Sequence, residues 1–376
     1  MQHINFKNMP NLQIGDLNAK VPIIQGGMGV GISLSGLASA VANEGGIGVI
    51  AAAGIGTLEP DYYTNFEEAN RRALQKEIKL AKEKTDGIIG VNIMMALTDW
   101  DYLWMTALDA GADIVFLGAG LPLKYPRELT EDMFKRSTAK IIPIVSSARA
   151  VKIIFQYWAK HYNHIPDAIV VEGPMAGGHL GFKKEQIDNP DYTLDKILLQ
   201  VINEVGPYEK RFDKKIPVIA AGGIYTGADI NKYIRLGANG VQMATRFVTT
   251  YECDAAIEFK EMYIECKKDD ITIIDSPVGL PGRAINNKFL DEVSSGIRKP
   301  FGCPWKCLKT CEYKKAPYCI ALALTNAKKG KLNKGFAFAG ANAYRAEKII
   351  SIKELFENIS KEYEEAIIEQ NASLSH

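Results

Sequence analysis

The chain has 376 residues, of which 47% are hydrophobic and 24% charged, and its formal net charge is +1. That balance is ordinary for a soluble globular enzyme and gives no support to nucleic-acid binding, which needs a basic surface. The length suits one large α/β barrel with an added lobe, or two domains. Residues 1–7 show no basic segment followed by an apolar core, so no signal peptide is expected and the protein is predicted to be cytoplasmic.

Residues 21–43 contain no charged side chain and have the length of a membrane span. They are rich in Gly and Ser, however, and they include Gln25 and Asn43. A buried strand, a loop and a helix are therefore the better interpretation, and no membrane association is expected.

Short β-branched runs alternate with helical patterns through the N-terminal part of the chain. Helix Phe66–Lys84 is representative, with apolar residues on one face and Glu and Lys elsewhere. Strands that are each followed by a helix predict an α/β fold, a (β/α)8 TIM barrel over residues 1–250. A doubly wound open sheet is the alternative, but the glycines of residues 27–31 lack its Gly-x-Gly-x-x-Gly spacing. The predicted strands are residues 23–25, 47–51, 88–93, 113–117, 141–145, 168–171, 217–220 and 240–243.

Glycine-rich loops follow several of these strands, at the carboxyl end of the barrel, where the active sites of such folds lie. After the first strand, Gly26, Gly27 and Met28 would let the backbone approach a flat ring system. Asn92 ends a later strand, where its amide could bond a ring heteroatom or cap a loop.

The most informative loop is residues 172–181, which reads Glu-Gly-Pro-Met-Ala-Gly-Gly-His-Leu-Gly. It presents one histidine, His179, which can move a proton near neutral pH. We therefore predict that His179 is catalytic, the alternative being that it only bonds a cofactor or a loop carbonyl.

The last two predicted strands run into Gly222-Gly223 and into Ala244-Thr245. Loops after these strands often build a phosphate site from backbone N–H groups. The alternative is that the glycines only make tight turns.

The pattern changes after Thr250, where helical stretches at residues 254–267 and 349–359 flank a loop-rich segment at residues 275–345. We interpret residues 251–376 as C-terminal helices and a Cys-containing, helical and loop-rich lid packed on the barrel mouth. The chain end, from Asn371, is expected to fray.

The loop-rich segment holds four cysteines, Cys303, Cys307, Cys311 and Cys319. Four thiols this close could bind a metal or an iron–sulfur cluster, and three of them would share a face if residues 305–311 were helical. Their spacing matches no standard zinc or ferredoxin pattern, so reduced structural cysteines are favoured and no metal is predicted. Nearby lysines could lower the pKa of a thiol.

Together the segments at residues 25–28, 90–92, 176–181, 221–224 and 240–247 resemble the nitronate monooxygenase (2-nitropropane dioxygenase) family of FMN-dependent barrels. Flavin-dependent enoyl-acyl-carrier-protein reductases are close relatives of that family. Ala176-Gly177-Gly178-His179-Leu180-Gly181 is the most specific element. Two positions depart from it, because Met175 stands where relatives often carry an acid and Ala244 where they often carry glycine.

The resemblance implies FMN, with its phosphate at the loops of Gly222-Gly223 and Ala244-Thr245, and His179 facing flavin and substrate. The implied activity is the oxidation of alkyl nitronates with oxygen to a carbonyl compound and nitrite. His179 would deprotonate a nitroalkane or, when protonated, hold the nitronate. The predicted cofactor-binding residues are Gly26, Gly27, Met28, Asn92, Glu172, Gly178, Gly181, Gly222, Gly223, Ala244 and Thr245.

The alternative is an enoyl-acyl-carrier-protein reductase of fatty-acid synthesis, with NAD(P)H as electron donor and acyl-carrier protein as a partner. Apolar residues of the C-terminal segment would then line an acyl groove, although a core for that segment is favoured. A non-catalytic flavin-binding sensor is a third hypothesis. A small-molecule substrate is expected, and a homodimer is a candidate assembly. The groove candidates are Phe289, Leu290, Phe301, Trp305, Phe336 and Phe338.

Overall fold

The computed structural model describes residues 8–297, 302–303 and 305–374. The strands are β1 (Leu12–Ile14), β2 (Leu17–Ala19), β3 (Ile23–Gln25), β4 (Gly48–Ala51), β5 (Ile89–Met94), β6 (Ile114–Gly118), β7 (Lys140–Val145), β8 (Ile169–Glu172), β9 (Gly178–His179), β10 (Val218–Ala221), β11 (Gly240–Met243), β12 (Ile271–Asp275) and β13 (Pro281–Ile285). The α-helices are α1 (Ser35–Asn43), α2 (Phe66–Lys84), α3 (Trp100–Asp109), α4 (Glu131–Arg136), α5 (Ala148–His161), α6 (Lys184–Ile187), α7 (Leu194–Phe212), α8 (Gly227–Arg235), α9 (Thr245–Val248), α10 (Ile257–Glu265), α11 (Lys288–Ser294), α12 (Ile320–Lys328) and α13 (Ile352–Leu374). Short 3-10 turns lie at Ile55–Leu58, Pro190–Tyr192, Lys268–Asp270, Leu332–Lys334 and Ala343–Arg345.

The central sheet has eight parallel strands in the order β3-β11-β10-β8-β7-β6-β5-β4. It closes on itself, because Ile24 forms a parallel bridge with Ile47, just before β4. Two 2.9 Å hydrogen bonds, from Gln25 N to Ile47 O and from Ile47 N to Ile23 O, seal this junction. The (β/α)8 barrel is therefore confirmed, with every predicted strand within one residue of its observed bounds, and the open doubly wound sheet is wrong.

Side chains fill the inside of the barrel. Buried residues from the strands, among them Ile24, Phe116 and Val170, form one cluster with Leu12 and Ile14 of the β1–β2 hairpin. The hairpin lies at the N-terminal ends of the strands, where a Cβ on Gly240, at the start of β11, would lie 3.0 Å from Leu12 Cδ2. The interior is a packed core, so space for a ligand remains only at the carboxyl end.

Residues 21–43 form β3, a loop and α1, as predicted. Within the described ranges, no helix is both long and apolar enough to cross a membrane.

The C-terminal region is anchored on the barrel by α13, which packs against α8. Glu362 accepts a 2.7 Å hydrogen bond from Gly227 N and two more from Arg246, at 2.9 and 2.8 Å. This helix runs to Leu374, and the fraying expected from Asn371 stays a prediction. The apolar pattern continues to Tyr363, and Asn231 Nδ2 donates to Gln370 Oε1 at 3.0 Å, which holds the last turns.

Replacing Glu362 with Ala should lower the free energy of unfolding by about 2 kcal/mol, since it leaves a largely buried guanidinium and a backbone N–H without their acceptor. Urea unfolding followed by circular dichroism measures this change. Glu365→Ala is the matched control on the same helix, because Glu365 forms only a 3.8 Å pair with exposed Lys361. The control should change the free energy of unfolding by less than about 0.5 kcal/mol. Equal losses in both variants would contradict the role of Glu362 in anchoring α13 on the barrel.

Candidate functional site

A cavity of about 750 Å³ opens at the carboxyl end of the barrel strands. Its size and mainly apolar lining are typical of sites for small molecules and cofactors. The structure brings all the residues predicted to bind a cofactor, and His179, to this cavity. They are Gly26, Gly27, Met28, Asn92, Glu172, Gly178, His179, Gly181, Gly222, Gly223, Ala244 and Thr245.

The double glycine after β10 is required by the backbone. Gly222 and Gly223 have φ values of 91° and 86°, a conformation that L side chains rarely adopt. A Cβ on Gly222 would lie 2.7 Å from Gly173 O, and one on Gly223 would lie 2.8 Å from Met175 Cβ. Both glycines thus make a tight turn, and both also line the cavity.

The loop after β3 is held by a buried amide. Gln25 Nε2 donates to Gly26 O at 2.6 Å, and Gln25 Oε1 accepts from Val49 N at 3.0 Å. A Cβ on Gly27 would lie 2.5 Å from Asn92 Cβ, so glycine lets the Asn92 side chain pack beside the backbone. These contacts place Asn92 against the first loop at the cavity wall.

His179 lies on β9, a short strand added to the C-terminal hairpin. Gly282 and Arg283 of β13 pair with His179 and Gly178. The His179 Nε2 atom is 2.7 Å from Ser276 Oγ, and the imidazole meets the Phe338 ring edge-on at 4.9 Å between centroids. The ring is thus fixed by a hydroxyl on one side and an aromatic face on the other.

A buried arginine holds the loop that precedes His179. Arg283 Nη1 donates to Pro174 O at 2.5 Å and to Ala176 O at 2.8 Å. Both carbonyls belong to the strand-to-histidine turn, so the guanidinium satisfies backbone acceptors that a buried loop would otherwise leave unpaired.

Burial sets the charge of both titratable groups in the histidine loop. It lowers the pKa of His179 to about 4 and raises the pKa of Glu172 to about 7. The imidazole is therefore neutral at neutral pH, which disfavours the predicted imidazolium form in the free site. Glu172, at the end of β8, changes charge near neutral pH.

Residues near the end of the chain complete the cavity, and sequence reasoning missed them. Asn342 Nδ2 donates to Gly223 O at 2.6 Å, and Gly340 N donates to Thr245 Oγ1 at 3.1 Å. These contacts join the loops after β10 and β11 to a segment about a hundred residues later, a separation that no local pattern signals.

The four cysteines are free thiols, and the described ranges contain no group of three or more His, Cys, Asp or Glu that could hold a metal. Residues 305–311 form a bend, a single bridge between Leu308 and Leu97, and a turn. They are not helical, so the shared helical face was a wrong expectation.

Three of the thiols are not activated. Burial raises the pKa of Cys307 to about 12, and it raises the pKa of Cys311 and Cys319 as well. The expected lowering by nearby lysines is wrong for these three thiols, because burial is the largest contribution and raises their pKa. Cys307 nevertheless lines the cavity.

Most of the residues considered for an acyl groove belong instead to a hydrophobic core of the C-terminal region. Phe289, Leu290 and Phe336 are buried in one cluster with Tyr318, as the favoured interpretation had it. Phe338 lines the cavity, whereas Trp305 packs on Tyr62. Phe301 lies outside the described residues.

The chain is similar to known proteins in sequence and in structure. A family model described as nitronate monooxygenase matches residues 12–362. A probable nitronate monooxygenase from Staphylococcus aureus (strain Newman) is 29% identical over 304 residues, covering 74% of this chain and 79% of the relative. The structure of FabK from Thermotoga maritima superposes with a TM-score of 0.71 at 29% identity, covering 94% of this chain and 95% of that one. Nitroalkane oxidase from Streptomyces ansochromogenes shares the fold, with a TM-score of 0.69 at 22% identity over 93% and 98% of the chains.

We expect the imidazole of His179 to stay neutral down to about pH 4, because burial penalises its charged form. Histidine-selective ¹⁵N labelling and a nuclear magnetic resonance titration would measure this, with the signal assigned by its loss in His179→Asn. A His179 midpoint near 6.5 would contradict the burial argument.

The same shift predicts how stability depends on pH. The free energy of unfolding should fall as the pH drops from about 6.5 to about 4, because in that range His179 is protonated in the unfolded chain and not in the folded protein.

Proposed function

Because the chain belongs to the nitronate monooxygenase family, we propose that it is an FMN-dependent oxidoreductase that oxidises alkyl nitronates with oxygen to a carbonyl compound and nitrite. One observation carries the proposal. The cavity at the carboxyl end of the barrel is lined by His179, by the glycine-rich loops after β3, β8 and β10, and by Ala244 and Thr245 after β11. Such a site offers a broad backbone surface for a flat cofactor and one side chain that can exchange a proton.

The lining fits FMN without a basic side chain. No Lys or Arg lines the cavity within the described part of the chain. The phosphate would instead be held by the backbone of Gly222-Gly223 and Ala244-Thr245 and by the Thr245 hydroxyl, in the way that glycine turns and helix starts bind anions. When bound, FMN supplies the capacity to accept electrons from the substrate.

His179 would orient the substrate. Its Nε2 is engaged by Ser276, which leaves Nδ1 for a ligand. An imidazole with a pKa of about 4 is a weak base, so hydrogen bonding to a preformed nitronate suits it better than removing a proton from a nitroalkane. The preferred substrate is therefore the nitronate anion.

A second candidate is the NAD(P)H-dependent enoyl-acyl-carrier-protein reductase. The FabK structure favours it, since that protein matches this chain as well in identity as the nitronate monooxygenase relative does. Most of the apolar side chains considered for an acyl groove are buried in a hydrophobic cluster, and this argues against the reductase. An acyl-carrier-protein partner and a homodimer stay predictions.

The two functions are separated by what reduces the bound flavin. In anaerobic stopped-flow absorbance, alkyl nitronates should bleach the flavin within the turnover time, and NADH and NADPH should not. Rapid bleaching by a nicotinamide, with no response to nitronates, would establish the reductase instead. A flavin that neither class reduces would support the sensor hypothesis.

The same assay tests His179. His179→Ala should reduce kcat/KM for nitronates by about 10- to 100-fold while flavin stays bound, because the hydrogen bond that orients the anionic substrate is lost. His161→Ala, which removes an exposed imidazole outside the cavity, should leave turnover unchanged.

The position of the phosphate is tested by flavin content. Gly223→Leu should weaken FMN binding at least about tenfold, since a side chain there forces the loop away from Met175. Gly206→Leu is the control, because a Cβ on Gly206 meets only open space on α7. Fluorescence titration of the released flavin gives both affinities, with circular dichroism confirming the fold. Full FMN affinity in a folded Gly223→Leu protein would rule out this phosphate site.

A further inference from the structure

One side of the cavity is apolar and comes from the C-terminal region, not from the glycine-rich loops. Four half-buried side chains form it, and we name them the apolar wall: Leu280, Leu308, Leu324 and Phe338. We propose that the apolar wall binds the unbranched alkyl tail of the substrate, so that long-chain primary nitronates are the preferred substrate class. The inference deepens the proposed function and rests on it for the identity of the reacting end.

The four side chains of the apolar wall belong to one surface. All of them pack against the same buried cluster, which includes Phe289, Phe336 and Tyr318. Each keeps part of its surface exposed and lines the cavity, so a ligand in the cavity can contact it directly. The cluster behind the wall holds these side chains in place for that contact.

The apolar wall begins at the proposed reacting end. Phe338 meets the imidazole of His179 edge-on, with 4.9 Å between the ring centroids. Leu280 directly precedes β13, and Gly282 of that strand pairs with His179. A nitronate held by His179 would therefore have the first carbons of its tail beside Phe338 and Leu280.

The wall continues to the boundary between the C-terminal region and the barrel. Leu308 forms an antiparallel bridge with Leu97 of the loop after β5, and Lys309 N donates to Ala96 O at 2.9 Å. Leu97 and Ala96 both line the cavity. An extended tail would thus lie along the junction of the two parts of the chain.

Apolar side chains of the barrel line the cavity as well. Met94 ends β5, Ile144 belongs to β7, and Leu121 follows β6. Leu121 is 45% exposed, so it marks the rim where the cavity meets solvent. A tail that is long enough to pass Leu121 would gain nothing from further length.

The polar groups on this side of the cavity are already engaged or carry no charge. Thr310 Oγ1 donates to Val278 O at 2.7 Å, and burial raises the pKa of Cys307 to about 12, which keeps its thiol neutral. Asn70 and Asp99 are hydrogen-bonded to each other and are only 4% and 2% exposed. A charged tail would lose water here without gaining a partner, whereas methylene groups gain from burial.

The first test is a chain-length series of linear primary nitronates, assayed with the wild-type enzyme. The value of kcat/KM should rise about two- to fourfold with each added methylene group, as expected for partial or full burial of a CH₂ group, and should level off at longer chains. A carboxylate in place of the terminal methyl group should remove the gain from the last carbons. A kcat/KM that is independent of chain length would overturn the proposal without any variant.

Leu308→Asn and Leu324→Asn make the wall polar at nearly constant side-chain volume. In each variant the ratio of kcat/KM between the longest and the shortest nitronate should fall about fivefold or more, which corresponds to the loss of one or two methylene contacts. Leu322→Asn is the matched control, since Leu322 lies on α12 with Leu324 but packs on the cluster of Trp305, outside the cavity lining. An unchanged ratio in both wall variants, with folding confirmed by circular dichroism, would overturn the assignment.

Binding without turnover separates this inference from the proposed function. Isothermal titration calorimetry would use unreactive linear alkanols of increasing length. If no nitronate is oxidised but alkanol affinity rises about two- to fourfold per methylene group and this rise is lost in Leu324→Asn, the apolar wall stands and the proposed function fails. If nitronates are oxidised but neither kcat/KM nor alkanol affinity depends on chain length, the proposed function stands and the apolar wall fails.

Discussion

The filled interior of the barrel is the constraint on which the site depends. The β1–β2 hairpin and the inward side chains of the strands form one buried cluster inside the cylinder. The cavity that gathers the predicted site residues is built from the loops at the carboxyl ends of the strands, where barrels place their sites. Those loops are rich in glycine, and glycine loops are poor at holding their own shape, since they offer few side chains and much backbone freedom. The site needs an external support.

The C-terminal region is that support. The β13 strand pairs with the histidine loop, and Arg283 bonds two carbonyls that precede His179. Farther along the chain, Gly340 and Asn342 bond the loops after β11 and β10. The region is tied to the outer helices by Glu362, which joins α13 to both Gly227 and Arg246. Backbone polar groups that the glycine loops expose are in this way satisfied by a distant part of the chain.

The division between what sequence predicts and what it misses follows from this arrangement. Strand positions were predictable because β-branched runs are local signals, and the glycine loops because each directly follows its strand. Asn342 and Ser276 were not, because their roles depend on contacts made after folding. For the cysteines, a local sequence pattern led to a wrong prediction. A helical spacing suggested three thiols on one face, but residues 305–311 form a bend, a bridge between Leu308 and Leu97, and a turn.

Burial, and not fixed charge, governs the electrostatics of the cavity. Loss of water keeps His179 neutral and brings the pKa of Glu172 to about 7, while the described lining residues include no Lys or Arg. An anion bound beside His179 would favour the imidazolium and raise the pKa of the ring. The imidazolium that the free site disfavours would then form with its ligand, so a proton would enter together with a nitronate. That coupling makes the binding of an anion weaken as the pH rises, whereas a neutral ligand at the same position would bind independently of His179 protonation.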